Sequence, residues 1–158
     1  MKWNGRRVVV TGAGGFIGSH LAERLVEDGA SVKAFIRYNA SGNRGWLEGS
    51  SLRDSMEFYF GDITDRDSVC SALRGAEIVF HLAALIAIPY SYHAPFSYVR
   101  TNVEGTLHVL TCARDFGVAR LGHTSTSETY GTARFVPITE LQPLQAQSPY
   151  AASKIGAD

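Results

Sequence analysis

Tyr150-Ala151-Ala152-Ser153-Lys154 sets a phenol and an ammonium four residues apart. On a helix, residues so spaced are neighbours on one face. An ammonium held there favours phenolate, which suits the phenol to act as a base near working pH. A second chemical signal is Thr11-Gly12-Ala13-Gly14-Gly15-Phe16-Ile17-Gly18. Gly12 suits a tight turn, Gly15 lets a pyrophosphate approach the backbone, and Gly18 allows close packing of the following helix. A helix opening at Phe16 offers N–H groups and a positive dipole end to phosphates. The spacing is G-x-x-G-x-x-G rather than G-x-G-x-x-G; the plain alternative is a glycine-rich turn without a ligand. The third signal is Ser125–Gly131, with hydroxyls at Thr126 and Ser127 and a carboxylate at Glu128.

These groups need a scaffold. Arg7–Thr11 is a β-branched run, and Phe16–Asp28 has helical spacing that stops at Gly29. Ser31–Ile36, Met56–Phe60, Glu77–Leu82 and Val118–Ser125 read as further strands. Between them lie a Gly/Ser/Asn-rich loop over Tyr38–Ser55, a helix capped by Thr64 or Asp65 that runs to Leu73, and a long helix over Phe96–Phe116. Pro149 opens a last helix. Strands separated by helices predict an α/β, Rossmann-like, doubly wound parallel sheet in three αβα layers. The fifth strand should deliver Ser125–Gly131 to the carboxyl edge, where such sheets place ligands. The second strand ends Ile36-Arg37-Tyr38 with no acid to grip a ribose 2′-hydroxyl. A cation there can accept a 2′-phosphate or stack on adenine, which favours NADP over NAD, unless Arg37 is simply solvated.

Composition sets the exclusions. Fifteen basic and fifteen acidic residues cancel, and no like-charge block suits a nucleic acid. Apolar stretches such as Leu82–Pro89 fall far below the ~18 residues of a membrane span. The N-terminus leads straight into a strand, so no secretory signal is expected. Cys70 and Cys112 each sit in a helical pattern; two cysteines exclude a disulfide framework and a zinc site, and no metal is expected. A reducing cytoplasm is the default expectation. Asp158 comes two turns into a helix with no cap. The expectation is therefore an N-terminal fragment, residues 1–158, truncated before a C-terminal substrate lobe.

Together these segments resemble the extended short-chain dehydrogenase/reductases that modify nucleotide sugars. The resemblance covers essentially the whole chain, through Thr11–Gly18, Gly61-Asp62-Ile63, His81-Leu82-Ala83-Ala84, Thr101–Thr106, Ser125–Gly131 and Ser148–Lys154. It implies that Gly12, Gly15, Phe16, Ile17, Gly18 and Arg37 line the cofactor, with Asp62 and Ile63 by the adenine. Leu82, Ala83 and Ala84 run along the cofactor, and Asn102 supports the active-site helix. Thr124, Tyr150 and Lys154 complete the cofactor set. Ser91 and Thr126 approach the sugar. Plainer readings stand beside these: His81 as a core histidine, Asp62 as a turn residue, Asn102 as a helix-interior polar group, and Glu128 as an exposed loop acid.

The run Thr124–Tyr130 and the segment Leu85–His93 most resemble the 4,6-dehydratases of legionaminic-acid-type pathways, and Ser127-Glu128 also matches GDP-mannose dehydratases. Thr129, Gly122 and His123 depart from the pattern. The implied chemistry is oxidation at C4 of a nucleotide sugar by Tyr150, Lys154 and Thr126. Elimination of water across C5 and C6 by Glu128 and Ser127 follows, then hydride return to C6 from a tightly held, recycled NADP or NAD. The resemblance also implies a homodimer. The alternatives are a 4-epimerase, or for this fragment a cofactor-binding module without activity.

Overall fold

The computed structural model describes residues 3–158. β1 (Arg7–Thr11), β2 (Ser31–Arg37), β3 (Met56–Gly61), β4 (Ile78–His81) and β5 (Arg120–His123) form one parallel sheet in the order β3-β2-β1-β4-β5. The chain winds outward from β1 to β3, then crosses back to β4 beside β1. That reversal falls between β1 and β4, at whose carboxyl ends open α/β sheets place their ligands.

Alternation along β1 decides the layers. Val8 and Val10 face one way, into a core completed by Ala22 and Leu25 of α1 (Phe16–Glu27) and by Val32, Ala34 and Ile36 of β2. Val9 faces the other way. It packs with Val69 and Leu73 of α2 (Arg66–Leu73) and Val109 and Ala113 of α5 (Gly105–Asp115). Helices thus cover both faces, as the expected doubly wound αβα arrangement requires. Asp65 caps α2, its side chain accepting from the Asp67 N–H. Of the apolar stripe expected on α1, Leu25 is buried while Ile17 is 65% exposed at the helix mouth.

The chain divides into two compact units, and the sheet with α1, α2 and α5 forms the first, through Ala83 and Gly105–Thr124. The second holds Ala84–Glu104 and Ser125–Asp158. It contains α3 (Ile88–His93), α4 (Pro95–Tyr98), a π-helical segment (Val99–Glu104), a 3₁₀ turn (Ser127–Tyr130) and α6 (Pro149–Ala157). α6 packs against α3, α4, the π segment and the 3₁₀ turn.

Two expectations are corrected. The single helix over Phe96–Phe116 is divided into α4, the π segment and α5, and the loop before it contains α3. Pro89 and Pro95 stand in the first turns of α3 and α4, where a missing N–H costs nothing. The two cysteines, expected to exclude a disulfide framework, are joined: a Cys70–Cys112 disulfide links α2 to α5. Both helices lie on the same sheet face, which brings their Cα atoms to 5.3 Å across 42 residues of sequence. Among the described residues, no helix is long and apolar enough to cross a membrane.

Candidate active site

In the first unit the glycine turn joins β1 to α1. Gly12 takes φ +71°, and a Cβ there would lie 2.8 Å from the Ala83 nitrogen. Only glycine lets this turn touch the segment leaving β4. A Cβ on Gly18 would lie 2.9 Å from the Gly12 carbonyl carbon, so Gly18 fits the helix against its own turn. Gly15 is the N-cap of α1 and supplies no side-chain cap. The first N–H groups of a helix have no intrahelical partner, and Phe16 and Ile17 are exposed beside them. A cradle that side chains would fill and an uncapped helix terminus fit a pyrophosphate.

A buried polar relay holds the second wall. The Thr11 hydroxyl oxygen accepts from the Leu82 and Ala83 N–H groups, both at 3.2 Å. The same hydroxyl is hydrogen-bonded to Nδ1 of His81, 2.7 Å away. Nε2 of His81 is hydrogen-bonded to the Thr106 hydroxyl at 3.0 Å. His81 is 1% exposed, and Thr106 lies on α5. His81 is therefore more than core filling: with Thr11 it fixes Leu82-Ala83 against Gly12. At the adenine side expected from the sequence, Asp62 accepts from the Thr64 N–H and hydroxyl at 2.9 and 2.8 Å. Ile63 is buried, its carbonyl meets His108 Nδ1 at 3.0 Å, and its side chain fills the space a Cβ on Gly105 would need. Arg37 is exposed at the end of β2, opposite Gly61 in register, and the Thr124 N–H donates to the His81 carbonyl.

In the second unit Ser148 caps α6, accepting from the Ala151 N–H at 3.0 Å. Tyr150 and Lys154 follow on one face, 8% and 4% exposed. Burial pushes the Lys154 ammonium below the ordinary lysine range, opposed by the nearby Asp158 carboxylate. Asn102 of the π segment donates to Ser153 Oγ at 2.8 Å, and Ser153 donates to the Tyr150 carbonyl at 2.7 Å. The same Asn102 amide pairs with the Leu85 backbone, accepting from its N–H at 2.8 Å and donating to its carbonyl at 3.0 Å. Ala84, just before Leu85, is half-buried.

Tyr98 was not singled out from the sequence. It is 1% exposed, its ring stands edge-on to Tyr150 at 6.3 Å, and its hydroxyl donates to the Ala87 carbonyl at 2.6 Å. Burial holds its phenol above the usual tyrosine range. Tyr98 lay within the helix expected over Phe96–Phe116, but no motif there set it apart from its neighbours.

Thr126 caps the 3₁₀ turn, accepting from the Glu128 N–H at 3.3 Å. This turn lies against α6, and Ser125 donates to the Asp158 carboxylate. Thr126 is half-buried; Ser127 and Glu128 are exposed. Ser91 is fully buried, its hydroxyl donated to the Ile88 carbonyl at 2.6 Å. The second unit thus gathers a buried Tyr/Lys pair, a hydroxyl and a carboxylate on touching elements.

A parallel sheet with this turn defines a dinucleotide-binding oxidoreductase fold of the extended short-chain dehydrogenase/reductase type. Residues 9–158 match the family described as GDP-mannose 4,6 dehydratase, and the chain belongs to that family of nucleotide-sugar dehydratases and epimerases. It is 37% identical over 155 residues to a UDP-glucose 4-epimerase of Streptomyces lividans, covering 96% of this chain and 45% of that protein. It is 36% identical over 162 residues to a dTDP-glucose 4,6-dehydratase of Mycobacterium tuberculosis, covering 96% and 46%. The crystal structure of DesIV, a dTDP-glucose 4,6-dehydratase from Streptomyces venezuelae with NAD and TYD bound, superposes with a TM-score of 0.86. That match has 37% identity and covers 96% of this chain and 49% of DesIV. The chain spans about half the length of the relatives it matches.

Proposed function

We propose that the whole protein is a nucleotide-sugar 4,6-dehydratase acting on an NDP-N-acetylhexosamine or related NDP-hexose. The observation that carries this is Glu128, held by the Thr126 cap on a turn packed against the helix of Tyr150 and Lys154. Elimination needs a base for the C5 proton, and among 125–131 Glu128 is the only acid.

In this reading Gly12, Gly15, Phe16, Ile17, Gly18, Asp62, Ile63, Leu82, Ala83, Ala84, Asn102 and Thr124 hold or support a nicotinamide dinucleotide. When bound, that cofactor would supply hydride chemistry, taking hydride from the sugar C4 and giving it to C6 while C5 gains a proton from solvent, so it would be recycled in each turnover. Tyr150 takes the proton of the C4 hydroxyl as the base, and Lys154, one turn on along the same helix, binds the nicotinamide ribose. Thr126 orients O4. Glu128 then removes the C5 proton, acidic once C4 is a ketone. The C6 hydroxyl leaves as water with a proton from Glu128, directly or through Ser127. Arg37 supports NADP as the preferred cofactor. Residues 1–158 are taken as the nucleotide-binding domain of a homodimer.

The likeness to UDP-glucose 4-epimerase supports a second reading, 4-epimerisation, against which Glu128 stands. Glu128→Gln keeps size and shape but cannot take a proton. In the whole protein it should lower product formation by about 10²–10⁴, while reduced nicotinamide builds up in a single turnover. Near-normal turnover would move the epimerase reading ahead.

A further inference from the structure

The Asn/Gly-rich loop after β2 has no role in the scheme above, yet it is built as a rigid piece. The Asn39 side chain spans it, donating to the Asn43 carbonyl at 2.8 Å and accepting from the Asn43 N–H at 2.8 Å and the Ser41 hydroxyl at 2.7 Å. Asn43 Oδ1 in turn accepts from the Gly45 N–H at 2.7 Å. Arg44 is held by Glu48 at 3.3 Å and lies 4.9 Å over the Phe58 ring.

All this bracing ends on the glycine turn. The Trp46 N–H donates to the Gly14 carbonyl at 3.0 Å, and the Trp46 and Phe16 rings meet edge-on at 5.3 Å. Gly45, at φ +63°, rests against Gly14 itself. A Cβ on Gly45 would collide with the Gly14 carbonyl oxygen and lie 2.9 Å from its carbon and 3.0 Å from its Cα. Gly42, in the same loop at φ +65°, has nothing within 4 Å of such a Cβ.

Glycines are the costliest residues to order, and Gly14 has no side chain by which the fold could grip it. Backbone N–H groups bind phosphate well only when already aimed. We propose that Gly45 is a positioning residue for the phosphate-binding turn, clasping Gly14 so that the N-terminus of α1 is aimed before the dinucleotide arrives. The inference rests on reading that turn as the dinucleotide site.

Gly42 provides the control, because alanine at either position suffers the same left-handed backbone but only Gly45→Ala displaces Gly14. The readouts are melting temperature and dissociation constants for NAD and for adenosine, which lacks the pyrophosphate. Gly45→Ala should weaken NAD by about tenfold or more and adenosine by about twofold or less, with Gly42→Ala within about twofold for both. Trp46→Pro, which removes the N–H to Gly14, should repeat the selective loss relative to Trp46→Ala, and it serves if Gly45→Ala does not fold. NAD binding by Gly45→Ala as tight as by Gly42→Ala would overturn the clasp, as would equal losses of NAD and adenosine. Failure of the unmodified protein to bind NAD, NADP or adenosine would overturn the dinucleotide reading itself, and the clasp with it.

Discussion

Asn102 and Ser153 are joined by a 2.8 Å hydrogen bond between buried side chains, and through it the π segment grips the helix that carries Tyr150 and Lys154. The same amide holds both backbone groups of Leu85. One side chain therefore ties three chain segments of the second unit together. Asn102→Ala leaves several buried groups without this partner, so it should destabilise by about 2–4 kcal/mol. Chemical denaturation checks this; a change under about 0.5 kcal/mol would show that the amide is dispensable.

The proposed preference for NADP rests on Arg37. It is exposed at the end of β2, where a guanidinium can pair with a 2′-phosphate. Titration should show tighter binding of NADP than of NAD. Arg37→Asp should shift the preference towards NAD by about tenfold, since a charge-assisted hydrogen bond is worth roughly 1.5–3 kcal/mol. Equal affinities in the unmodified protein would remove the case for NADP.

The Cys70–Cys112 bond closes a loop of 42 residues between α2 and α5. Such a crosslink restricts the unfolded chain by about 4 kcal/mol in the chain-entropy description. Reductant should lower the melting temperature by roughly 8–16 °C, and Cys70→Ser should remove that sensitivity. Identical melting with and without reductant would contradict the stabilising role.

Much of the fold was legible because it is local. The β-branched run of β1, the Asp65 cap and the stop at Gly29 (φ +90°) each act within a few residues. The glycine turn and the Tyr150/Lys154 pair were legible for the same reason. What escaped the sequence is non-local. The α2–α5 disulfide, the Tyr98–Tyr150 ring contact and the Gly14–Gly45 clasp join residues whose proximity is created only by packing. The short helix α3 escaped differently: it is only six residues long, and Pro89 stands in its first turn, where a proline opens a helix.

The 4,6-dehydratase assignment is tested most directly by weighing the product. The whole protein should be incubated with an NDP-N-acetylhexosamine in deuterated water and the sugar nucleotide analysed by mass spectrometry. The account predicts a product lighter by one water and carrying one solvent deuterium at C5, with C6 receiving its hydride from C4 rather than from solvent. A product isomeric with the substrate, with no water lost and no deuterium at C5, would contradict it and establish epimerisation instead.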